Sequence, residues 1–146
     1  MKKILITIVA LLLTVTVTGC QKENITELNI TNTSQVIEKT LKNMEKIEEE
    51  TLKNVYSLDL TNIEEYVVKQ NENGDLYAIL KVIDIQKAKE NMNDYFEKVK
   101  QFNQSYSPER LQILENRVEK QIGNYLIYIV AEDANDIYTE IINNMN

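Results

Sequence analysis

Glu65-Tyr66-Val67-Val68-Lys69-Gln70-Asn71-Glu72-Asn73-Gly74-Asp75-Leu76-Tyr77-Ala78-Ile79-Leu80-Lys81-Val82-Ile83 is the stretch that decides the fold. Residues 65–70 and 75–83 are rich in β-branched and aromatic side chains. They flank Asn73-Gly74, a pair that tolerates the positive φ of a type I′ turn, so the stretch reads as a β-hairpin. Residues 117–122 and 125–131 repeat the pattern around Gly123-Asn124. Residues 75–83 and 125–131 are apolar on both faces and belong in the middle of a sheet. The more alternating segments near Val67 and Val118 belong at its edges.

Working outward, each hairpin runs into a helix. Asp84 is placed to cap a helix through about residue 104, with Ile85, Ala88, Met92, Tyr95, Phe96, Val99 and Phe102 on one face. Ser107-Pro108 restarts a short helix with Leu111 and Leu114 inward, and Asp133 precedes a last helix carrying Ile137, Tyr138, Ile141 and Ile142. The two ββα units suggest a weak internal duplication, Tyr77 to Asp84 aligning with Tyr125 to Glu132 by hydrophobic pattern. Upstream, Val36, Ile37, Leu41, Met44 and Ile47 keep a helical stripe with Thr33 or Ser34 as its cap. The Glu48-Glu49-Glu50 run divides it from a second helix with Leu52, Val55 and Tyr56.

The expected architecture is an α+β domain over residues 33–146. A four-stranded, mainly antiparallel sheet from two hairpins has helices packed on it and is preceded by an N-terminal helical pair. The helix after Asp84 and the last helix should share one face. The other, bearing Tyr77, Ile79, Tyr125 and Ile127, is too apolar to be left in water. It is either covered by the N-terminal pair through Leu41, Met44, Leu52 and Val55, or it is an interaction face for a partner or second subunit.

The first residues speak to location. Lys2 and Lys3 precede residues 4–17, an apolar run without charge. That run suits a secretory signal and falls short of the roughly 20 residues of a spanning helix. Val17-Thr18-Gly19-Cys20 then looks like a bacterial lipobox, which would make residues 1–19 a signal peptide, Cys20 the lipidated mature N-terminus, and residues 20–32 a tether. Removing residues 1–19 takes away two lysines and no acid, moving the net charge from −7 to −9. A balance that acidic argues against nucleic acid and against electrostatic adhesion to an anionic leaflet. Attachment would fall to the lipid on Cys20.

Composition removes much chemistry. The chain has no His and no Cys beyond Cys20, so it has no His-based triad, no Cys–His pair and no ordinary zinc or copper site. The Asn71-Glu72-Asn73-Gly74 segment fails as a calcium loop, because registering Gly74 as the invariant glycine puts Lys69 first and Leu80 twelfth, where acids are needed. Neither metal nor cofactor is expected. Glu64, Glu65, Asp84 and Asp94 are the acids from which a glycosidase-like pair would have to come. Nothing in their sequence settings marks two of them as facing each other.

The lipobox, the helical pair ending in Leu52-x-x-Val55-Tyr56-x-Leu58-Asp59, and Ile63-Glu64-Glu65-Tyr66-Val67-Val68 resemble clostridial lipoproteins of the family called domain of unknown function 4358. Asp84-Ile85-x-x-Ala88, the connection over residues 104–118 and Gly123-Asn124-Tyr125-Leu126-Ile127-Tyr128-Ile129-Val130 share the likeness, which covers residues 33–142. The resemblance implies a Gram-positive host and the outer leaflet of the cytoplasmic membrane, and it transfers no catalytic residue. The expected function is therefore that of a lipid-anchored, extracytoplasmic, non-catalytic module contacting an envelope protein or polymer. A small envelope hydrolase using a carboxylate pair is the alternative.

Overall fold

The computed structural model describes residues 27–145. Cys20, the expected signal peptide and most of the expected tether lie outside the described residues. Five strands form one antiparallel sheet in the order β1-β2-β3-β5-β4, where β1 is Glu45–Lys46, β2 Ile63–Gln70, β3 Leu76–Val82, β4 Val118–Ile122 and β5 Tyr125–Val130. The two doubly apolar strands are central, as their composition demands, and pair from Leu76↔Val130 to Lys81↔Tyr125. The expected four strands become five, because Glu45 and Lys46 pair with Gln70 and Lys69 outside β2.

That extra strand also corrects the N-terminal helical pair. Helix α1 (Ile30–Thr40) stops at Leu41, and Asn43 takes a positive φ of 56°, a conformation Asn tolerates better than most residues. The backbone is then extended through β1, and Ile47 N–H donates to the Val68 carbonyl at 3.0 Å. A second helix, α2 (Glu49–Asn54), follows. The stripe Leu41–Met44–Ile47 keeps helical spacing in a stretch that is not helical, because edge pairing of Glu45–Lys46 with β2 satisfies backbone groups that a helix would have satisfied internally. Helix α1 also begins before Thr33. Asn29 is its cap, accepting from Asn32 N–H at 2.9 Å, while Leu28, Ile30, Thr33 and Ser34 are buried.

By passing along the sheet edge through β1, the chain changes faces. Helix α1 packs with α5 (Ala134–Met145) over Tyr77, Ile79, Tyr125, Ile127 and Ile129. Helix α2 sends Leu52 to the opposite face, where α3 (Ile85–Tyr106) and α4 (Leu111–Glu115) cover Leu76, Ala78, Leu80, Leu126, Tyr128 and Val130. The last helix and the N-terminal pair are thus distributed differently from expectation: α5 lies opposite α3, and the pair is split. Val55, expected to help cover the Tyr77–Ile127 face, is 44% exposed. Tyr77 and Tyr125, aligned by the suggested duplication, share a face, whereas the helices that follow the two hairpins lie on opposite faces.

The turns follow their glycines. Gly74 alone carries positive φ (81°) in the first hairpin. The type I′ turn gives way to a β-turn closed by Gly74 N–H on the Asn71 carbonyl at 3.0 Å, with the Asn71 side chain accepting from Asp75 N–H at 3.0 Å. In the second, Gly123 has φ 56° and Ile122 pairs with Tyr125, a two-residue loop with glycine first, as type II′ requires. Asp84 caps α3 as expected, accepting from Gln86 and Lys87 N–H at 3.0 and 3.1 Å. No helix among the described residues is long and apolar enough to cross a membrane.

Candidate functional site

The four residues of the expected interaction face are interior. Tyr77, Ile79, Tyr125 and Ile127 all lie beneath α1 and α5, each under 5% exposed, so the helices rather than a partner occupy that face. What reaches its rim is polar. The Tyr77 hydroxyl donates to the Glu38 carboxylate on α1, which also accepts from Lys69 Nζ at 2.8 Å. Burial pushes the Tyr77 phenol well above its ordinary value, reinforced by the Glu38 hydrogen bond. Burial works to raise Glu38, but the bonds from Lys69 and Tyr77 outweigh it and hold the carboxyl below its usual range.

The candidate carboxylates have ordinary work. The register between β2 and β3 slips between Ile63 and Glu65, leaving Glu64 at 3.5 Å from Lys81 Nζ, which Glu27 approaches at 3.4 Å from the start of the described chain. Tyr125 Oη also donates to Glu27 at 3.4 Å. Glu65, Lys81, Tyr125 and Glu27 line a shallow hollow of about 240 Å³. Hydrogen bonding to Glu27 is the largest influence raising the Lys81 pKa. Lys81 thus stands between Glu64 and Glu27 as their shared ion-pair partner. Asp84 caps α3 and Asp94 is exposed on it. Among the described residues no group of three or more Asp, Glu, His or Cys could hold a metal ion.

A third region was not singled out from the sequence. An aromatic ladder runs out of the core: Tyr128–Phe96 centroids are 5.3 Å apart, Phe96–Tyr95 5.2 Å, Tyr95–Tyr56 5.2 Å, Tyr56–Phe102 5.6 Å and Phe102–Tyr106 6.3 Å. Its inner members are buried, and burial pushes the Tyr128 phenol up to about 12. Its outer members are open, with Phe102 41% and Tyr106 80% exposed. Phe102, expected in the core, is therefore a surface residue.

The reason is length. Helix α3 has 22 residues and is about 33 Å long, whereas the seven residues of β3 span about 23 Å. Its apolar stripe continues past the sheet that covers Ala88, Met92, Tyr95 and Val99. A signal for this was present: residues 101–108, Gln-Phe-Asn-Gln-Ser-Tyr-Ser-Pro, carry no charge in a chain that is 27% charged. Just beyond, Arg110 crosses to Asp75 at 2.8 Å and ties the end of α3 to the β2–β3 turn.

The family model described as Domain of unknown function (DUF4358) matches residues 37–131. That span covers both hairpins, α2, α3 and α4, and the outer aromatic residues. No curated protein and no solved structure matches the chain.

Proposed function

The chain belongs to the family described as Domain of unknown function (DUF4358), and from that premise we propose that it is a lipid-anchored envelope protein working as a non-catalytic interaction module. Its place is the outer leaflet of the cytoplasmic membrane of a Gram-positive cell, with Cys20 acylated. The anchoring reading rests on Lys2-Lys3, the uncharged run over residues 4–17 and Val17-Thr18-Gly19-Cys20 occurring in the order a lipoprotein signal needs.

The observation that carries the interaction reading is the exposed aromatic end of α3. Phe102 and Tyr106 are exposed and stack on one another, and Phe102 also packs at a tilt against Tyr56. Exposed aromatic side chains in a charge-poor stretch are the composition that distinguishes interface cores from other surface. Six residues separate Cys20 from Glu27, and the seven Cα steps reach at most about 25 Å. The chain enters the domain at the Lys81 end of β3, and α3 runs back to finish at the Asp75 turn. The aromatic end would then face away from the leaflet.

The test is fatty-acid labelling in a Gram-positive host. Cys20→Ala should lose the label and retain the signal peptide. Undiminished label in that variant would overturn the anchoring reading.

A further inference from the structure

We propose that Asn73-Gly74, at the tip of the first hairpin, is a spontaneous modification site. There Asn73 loses ammonia to become aspartate or isoaspartate, and the isoaspartate form loosens the end of α3. The inference stands apart from the anchored-module reading and needs no partner.

The chemistry requires an amide side chain one residue before an unhindered backbone nitrogen. Gly74 has no Cβ to block the approach to its nitrogen, and Asn73-Gly74 is the only Asn-Gly pair in the chain. Asn73 is exposed, and among the described residues its side chain has no hydrogen-bond partner. Asn71, in the same turn, is the opposite case. Its side chain accepts from Asp75 N–H at 3.0 Å and donates to the Asp75 carboxylate at 3.1 Å and the Lys42 carbonyl at 3.3 Å, and Glu72 follows it. One amide is engaged, and the other is free to fold back on the chain.

Cyclisation joins Gly74 N to Asn73 Cγ and breaks the bond from Cγ to Nδ2. The Gly74 amide proton leaves with that nitrogen as ammonia. Water then opens the cyclic imide. Cleavage at Cγ gives aspartate, whereas cleavage at the main-chain carbonyl gives isoaspartate, in which the backbone runs through the former side chain. Gly74 N–H must first leave the Asn71 carbonyl, which it meets at 3.0 Å. By bracing this turn, the Asn71 side chain acts as the brake on the reaction.

The product matters because of what the turn holds. Isoaspartate lengthens the backbone by one methylene immediately before Gly74, where a Cβ would already come within 3.2 Å of Arg110 Nε. Arg110 reaches Asp75 through Nη2 at 2.8 Å, while its Nε is buried without an acceptor. The tie therefore rests on that one hydrogen bond. A shift of Asp75 breaks it and frees the segment that follows Phe102 and Tyr106.

The test is to age the full chain at mildly alkaline pH and map its peptides by mass. Asn73 should convert at least about ten-fold faster than Asn71, with isoaspartate at position 73 detected by a protein isoaspartyl methyltransferase. Asn71→Ala should speed the conversion several-fold, and Asn73→Gln, whose longer side chain closes a less favourable ring, should abolish the isoaspartate signal. In the isoaspartate form, amide hydrogen exchange over residues 100–110 should be at least about ten-fold faster than in a fresh Asn73→Asp variant, which has the charge without the extra methylene. Conversion of Asn73 no faster than that of Asn71, or no acceleration in Asn71→Ala, would overturn the site as described. Equal exchange in the isoaspartate form and Asn73→Asp would overturn its effect on α3.

Discussion

Arg110 and Asp75, 35 positions apart in the chain, meet at 2.8 Å with both side chains largely shielded, and thereby join the segment after α3 to the first hairpin turn. The neighbouring backbone accommodates the bridge. A Cβ placed on Gly74 would come within 3.2 Å of Arg110 Nε, at a φ of +81° that side chains rarely adopt.

Removing one member of the bridge should therefore be felt throughout that end. Asp75→Ala leaves a shielded guanidinium without its partner, at a cost of about 2 kcal/mol, or roughly 8 °C in thermal midpoint. A midpoint within 1 °C of the parent would show that the bridge is dispensable.

Gly74→Ala combines backbone strain with crowding of Arg110, and should cost about 2 kcal/mol. In an Arg110→Ala background the crowding is gone and only the strain remains, so the second cost should be smaller. Chemical-denaturation free energies for the four species would measure the coupling. Strict additivity would refute the contact.

The cover of the Tyr77–Ile127 face can be tested from α1. Ile37 is fully buried there, and Ile37→Ala should cost about 3 kcal/mol, whereas Val55→Ala, at an exposed site, should cost under about 0.5 kcal/mol. Urea midpoints that rank the two in reverse would remove α1 from its assigned place.

A chain beginning at residue 33 would lose the buried Leu28 and Ile30 and the Asn29 cap. It should be less stable than one beginning at residue 27 by about 3 kcal/mol or more. Calorimetric midpoints of the two would decide; equal values would return residues 27–32 to the tether.

Titration has a defined sign at both ends of the pH scale. Tyr77, Tyr95 and Tyr128 are raised above the ordinary phenol value mainly by burial. Their contribution is complete below about pH 10 and is lost as pH rises above it, because the unfolded chain ionises first. Glu38 is lowered. Its contribution is present above the ordinary carboxyl value and lost as pH falls through its folded one. Thermal midpoints should drop above pH 10, and Glu38→Gln should flatten the acid limb below about pH 4.5. An acid limb unchanged by Glu38→Gln would remove that carboxylate from the account.

Some of this was legible one residue at a time. Residues 76–82 and 125–130 are apolar on both faces, and such a strand is stable only when it is covered on both, so their central place follows from composition. Asp84 states its cap, and Gly74 and Gly123 state where the chain reverses, because these are local demands of the backbone met by local side chains. The neutral aromatic run at residues 101–108 was visible too, but whether it is covered depends on how far the sheet extends beneath it.

The remainder belonged to the tertiary structure. An amphipathic stripe records that a helix has a buried side and is silent about which surface receives it, so α1 and α5 could not be assigned to the face opposite α3 from periodicity. The stripe through Leu41, Met44 and Ile47 has helical spacing, yet the left-handed turn at Asn43 ends the helix and the pairing of Glu45 and Lys46 with β2 carries the chain along the sheet edge. That path covers Tyr77, Ile79, Tyr125 and Ile127. Helix length against strand length, a comparison between elements distant in the chain, leaves Phe102 and Tyr106 exposed. Sequence determined the elements because their energetics are local, and the tertiary structure decided the faces because apolar burial is non-directional and takes whichever surface the chain's path brings near.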